Sequence, residues 1–100
     1  MSDLACSLLC PPAVEEKLLD ALLLRYADEL FTSVPTFAHG VAHGALSSSE
    51  QVLGRASNVL VQILLSRPEW VELRGVLASE FAGTGIRWWL TPVLEEGDLT

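Results

Sequence analysis

Clustered basic charge is missing from this chain of 100 residues: Lys17, Arg25, Arg55, Arg67, Arg74 and Arg87 stand singly against thirteen Asp and Glu. The formal charge is −7 and the pI is near 4.5, so the chain as a whole repels phosphate backbones and a nucleic-acid partner is not expected. Long apolar runs are also missing. Leu22-Leu23-Leu24 and Val59-Leu60-Val61 fall far short of the ~20 residues a membrane-crossing helix needs, which excludes a transmembrane segment. Met1-Ser2-Asp3-Leu4 carries no positive leader, so an intracellular, cytoplasmic protein is expected rather than a secreted one. Cysteine is sparse: Cys6 and Cys10, four apart, would close too small a loop to constrain the chain and read as free thiols.

Catalytic signatures are absent as well. No Gly-x-Ser-x-Gly elbow and no Gly-rich phosphate loop with a lysine occurs, and the pairs Glu15-Glu16 and Glu95-Glu96 sit where solvated charge is ordinary. The expectation is a protein that is not an enzyme and carries no cofactor. No period of 20 to 50 residues repeats, which leaves a solenoid unsupported.

What is present is apolar content, at 50% of residues, distributed at helical spacing. Pro12 opens a helix running to Phe31, with Val14, Leu18, Ala21, Leu22 and Arg25 on one face and Leu19, Leu23, Tyr26 and Leu30 on a second. After a break at Thr32 to Pro35, Thr36 caps a short helix to about Ala45, which includes the local tandem Ala38-His39-Gly40-Val41 and Ala42-His43-Gly44-Ala45. Ser47 and Glu50 fit a capping box before Gln51 to Leu65, the most apolar segment, read as the central helix. A second box, Ser66 to Glu69 with Pro68 in its first turn, starts a helix through Phe81 that Gly83-Thr84-Gly85 stops. Ile86 to Leu90 adds one or two turns. Strand alternation is weak throughout, so the fold class is all-α: four to five short helices around 51–65, in one domain over 1–94 with 1–11 as a loosely attached leader segment and 95–100 as an acidic tail.

His39 and His43 share the i, i+4 spacing of helical metal ligands, and Cys6 and Cys10 share it too. Together they could offer two sulfurs and two nitrogens to zinc. The stretch between Cys10 and His39 matches no compact zinc module, however, so these four are candidates only and no metal is assigned.

The second face of the Pro12 helix, Leu19-x-x-x-Leu23-x-x-Tyr26-Ala27-Asp28-Glu29-Leu30, resembles the death-motif helix of the Bcl-2 family of apoptosis regulators. Gly54-Arg55, then Val59-Leu60, Ile63-Leu64 and Trp70, is similar in order and separation to that family's groove-forming stretch. The resemblance covers Leu19 to Phe81 and implies a helical bundle in apoptosis regulation, with apolar knobs filling a groove and Asp28 reaching an arginine.

Apolar surface beyond what one small core buries points independently to a protein partner or to a homodimer, with aromatic anchors. The expected contact set is Leu19, Leu23, Tyr26, Asp28 and Leu30, with Trp88 and Trp89. The expected function is a non-catalytic module that binds or sequesters a partner through an apolar helix surface with acidic surroundings. The alternatives are a small acidic inhibitor or chaperone-like adapter that blocks a basic target, and a zinc-binding helical protein.

Overall fold

The structure is a computed structural model that describes residues 2–40 and 55–100. Among these residues four strands and two helices follow one another: β1 (Leu4–Cys10), α1 (Pro12–Arg25), β2 (Phe31–His39), β3 (Arg55–Leu65), α2 (Arg67–Glu80) and β4 (Arg87–Pro92). The strands form one antiparallel-paired sheet in the order β2-β3-β1-β4. A β-α-β-β-α-β chain in this order is the ferredoxin-like split βαβ arrangement, with both helices on one side of the sheet.

The architecture corrects the all-α bundle. The supposed central helix is β3, whose Val59, Val61, Ile63 and Leu65 are buried at every second position. β-Branched side chains suit a pleated surface, and the intervening Leu60 and Leu64 are apolar too, which hides the alternation in a run interrupted only by Gln62. The first segment, Leu4–Cys10, is a central strand too, with Leu4, Cys6, Leu8 and Cys10 buried at every second position. β2 begins at Phe31, where the Pro12 helix was expected to end, and occupies the segment from Thr36 to His39 that was read as helical. Pro35 within β2 is tolerated because the strand lies at a sheet edge. Ile86 to Leu90 was expected to make helical turns, but β4 starts at Arg87. His43, Gly44, Ala45, the Ser47 to Glu50 box and residues 51–54 lie outside the described residues.

The helices follow local rules. α1 carries Pro at its start and Glu15 in its first turn, opposite the positive end of the helix dipole. It ends at Arg25, short of Phe31, with the Tyr26 backbone N–H donating to the Leu22 carbonyl. At α2 the expected capping box is formed: Ser66 Oγ accepts from Glu69 N at 3.3 Å while the Glu69 carboxylate accepts from Ser66 N at 2.8 Å. Gly83 and Gly85, both at positive φ, turn the chain from α2 into β4.

One core lies between the helices and the sheet. Leu4, Cys6, Leu8 and Cys10 of β1 meet Leu18 and Leu22 of α1 and Trp70, Leu73 and Leu77 of α2, with Tyr26 and Phe81 closing the ends. Lys17 ties the helix layer together, donating to the Glu80 carbonyl at 2.8 Å with its ammonium 4.7 Å from the Phe81 ring centroid. Arg25 and Glu80 add an ion pair at 3.2 Å, half-exposed and of small energetic weight.

Candidate functional site

Among the described residues the helices cover one side of the sheet only, and the alternation of each strand sends a second set of side chains to the other side, called the uncovered face below. The register aligns them in rows. Thr32, Gln62, Ser7 and Trp89 lie side by side across all four strands, and Val34, Leu60, Leu9 and Arg87 form the next row. Leu64, Ala5 and Thr91 form a third across β3, β1 and β4. Gln62 Nε2 donates to Ser7 Oγ at 3.2 Å, pinning the centre of this face. Around that bond the surface is apolar or uncharged, with Arg87 the one charged residue among the described strand positions of this face.

The sequence-predicted contact residues fall on several surfaces rather than one. Leu19 is partly buried against the core, and Tyr26 is buried with its hydroxyl donating to the Glu69 carbonyl at 3.2 Å. Burial, with Glu72 and Glu69 nearby, pushes the Tyr26 phenol up to about 12 despite the opposing effect of Arg25. Leu23 and Leu30 are 55% and 84% exposed, and Asp28 is exposed between them. All three lie at the end of α1 and in the turn that follows. The adjacent tryptophans point to opposite sides, as a strand requires. Trp88 pairs with Leu8 and meets Trp70 of α2, whereas Trp89 pairs with Ser7 and is 41% exposed on the uncovered face.

Of the four zinc candidates, His43 lies outside the described residues, and Cys6, Cys10 and His39 do not converge. On a strand, positions four apart share a face but stand roughly 13 Å apart, too far for one ion. Cys6 and Cys10 are both buried in the core, and His39 is exposed at the end of β2 in register with Arg55. Desolvation pushes the Cys6 thiol up to about 12, and desolvation with Glu15 pushes Cys10 up to about 11. These thiols are protonated at neutral pH and are poor nucleophiles and ligands. Among the described residues no group of three or more His, Cys, Asp and Glu is placed to hold a metal.

A separate cleft of about 250 Å³ opens between α2 and β4, lined by Arg74, Leu77, Ala78, Phe81, Ile86 and Trp88. It brings together one cation and apolar walls, with no nucleophile or base.

A family model described as a protein of unknown function, DUF3240, matches residues 1–100, the whole chain. The chain belongs to the DUF3240 family. A crystal structure of a DUF3240 family protein from Shewanella baltica OS155 has the same fold, with a TM-score of 0.77 at 14% identity, covering 100% of this chain and 99% of that one. A comparison with curated proteins gave no match. Family membership and the sheet together overturn the resemblance to Bcl-2 proteins: Tyr26 of the supposed death motif is core, and Val59 to Leu64 of the supposed groove helix belong to a strand. The motif of four apolar positions with a small residue and Asp is short enough for an ordinary amphipathic helix to carry it.

Sequence reasoning missed Leu9, Val34, Leu60, Gln62 and Leu64. The signal was present as β-branched residues at Val59, Val61 and Ile63, with Ala5, Ser7 and Leu9 alternating against Leu4, Cys6, Leu8 and Cys10. Neighbours apolar on both faces concealed it. No helix among the described residues is long and apolar enough to cross a membrane.

Proposed function

We propose that this DUF3240 protein acts by binding another polypeptide rather than by chemistry, and that it does so through the uncovered face of its sheet. The observation that carries the reading is the set of aligned rows, in which Val34, Leu60, Leu9, Leu64 and Trp89 surround the Ser7–Gln62 bond. Contiguous apolar surface of this kind marks association sites, and a tryptophan beside it is a common energetic anchor. The expectation of an apolar binding surface on an acidic protein is retained, but its location moves from helix to sheet. The partner is a protein with a matching uncharged face, or a second copy of the chain.

An acidic module that blocks a basic target is the second reading. It is favoured by Glu16, Asp20 and Glu72, which lie exposed on the helices and thus in the layer opposite the uncovered face.

A photo-crosslinking residue at Thr32, exposed on the sheet face, tests the proposal against the same residue at Leu24, exposed on α1. In the native host, polypeptide adducts from position 32 and none from position 24 are expected. The reverse pattern would overturn the sheet-face reading in favour of the helical side.

A further inference from the structure

Resting on the reading of the sheet face as an association surface, we infer that its occupant is a second copy of this chain, stacked face to face about a two-fold axis. The first argument is charge. A chain of −7 that pairs with itself must do so where its carboxylates are not, because like charges across an interface cost several kcal/mol. Exposed carboxylates sit on both helices, at Glu16, Asp20, Glu72 and Glu80 among others, whereas the strand positions of the uncovered face carry none. A basic partner would find no carboxylate on the strand positions of this face to select it.

The second argument is the placement of two charges at opposite ends of the described face. Arg87 ends the Val34–Leu60–Leu9 row, and Asp3 precedes β1 at the other end, on the same side by alternation. A two-fold axis across the strands reverses each strand end over end. It carries Arg87 of one copy toward Asp3 of the other and leaves the uncharged rows facing each other. An isologous contact must be complementary to itself in this way.

Size is the third argument. Rows about 7 Å apart on strands about 4.8 Å apart make a footprint of roughly 20 by 19 Å, so two faces with their side-chain relief bury on the order of 1,000 Å², near the lower bound for a specific interface. The pair is therefore a reversible dimer rather than an obligate one. Two sheets stack about 10 Å apart in such packing, with α1 and α2 of each copy outside.

The test is the solution mass of the purified full chain by light scattering across a concentration series, with circular dichroism on every variant. A mass moving toward twice the 10.8 kDa chain is expected. Raising ionic strength should strengthen the dimer by screening the repulsion between two acidic bodies, opposite to the behaviour of a complex with a basic partner. Thr32→Glu and Val34→Glu, both at exposed edge-strand positions, should each weaken dimerisation by about tenfold or more. Arg87→Glu should weaken it as well, and Leu23→Glu should leave it unchanged. A monomer at all concentrations, a mass of three chains, or a dimer insensitive to Thr32→Glu and Val34→Glu would overturn the inference. A purified monomer whose Thr32 probe still crosslinks to a different protein in cells would sink the second copy while leaving the association reading standing. Loss of both the dimer and the adduct would sink both.

Discussion

Trp70 and Trp88 meet with their ring centroids 4.7 Å apart at an interplanar angle of 57°, joining the first turn of α2 to the edge strand β4. The contact explains why the short strand β4, with Arg87 and Pro92 at its ends, holds its place beside β1. It also orients the uncovered face, because seating Trp88 on the helix side sends Trp89 to the other.

Trp70→Ala should therefore be among the most damaging substitutions in the chain. Its side chain is 1% exposed, and deleting an aromatic from a packed core costs about 3–5 kcal/mol. Trp88→Ala should cost less, since Trp88 is 43% exposed. Urea unfolding of both variants checks the order, and equal losses would mean that the ring pair, rather than burial, dominates.

The two thiols should behave as core side chains. Cys6 and Cys10 are fully buried and should resist an aromatic disulfide reagent in the native protein and react in denaturant. The native pKa values lie above the ordinary 9.0, so the folded state retains protons that the unfolded chain loses. Stability from this source is complete below pH 9.0 and is lost as pH rises toward about 11 and then about 12. Tyr26, raised from 10.0 to about 12, acts in the same direction. Denaturant midpoints measured from neutral to alkaline pH should fall over that window, and Cys6→Ala should make the fall shallower.

Ser66→Ala should remove the capping box at α2 and destabilise the protein by about 1 kcal/mol, whereas Ser66→Asp should retain most of the stability. Thermal unfolding distinguishes them. An Ala variant as stable as the parent would mean that the packing of Trp70 and Leu73 alone holds the start of the helix.

How much was legible in the sequence depends on how local each signal was. The starts of both helices could be read from Pro12 and from the Ser66–Glu69 box, because a first-turn proline and a capping box both act within one turn of chain. The end of α1 was misplaced because Tyr26 and Phe31 continue the apolar spacing as core residues after the helix has stopped. The strands were missed because β1 and β3 are apolar on both faces, and neither carries the polar alternation that marks a half-buried strand.

The sequence by itself determined composition-level properties: an acidic chain without basic clusters or long apolar runs, two thiols rather than a disulfide framework, and helix starts set by Pro12 and by the Ser66–Glu69 box. Only the tertiary structure decided that Leu60 sits between Val34 and Leu9, that Ser7 bonds Gln62 across 55 positions of chain, and that Trp88 and Trp89 part company. A helix satisfies its backbone hydrogen bonds within itself, so its signals lie in neighbouring residues. A strand satisfies them on a distant partner, and which of its faces is left uncovered is settled only when that partner and the helices are in place.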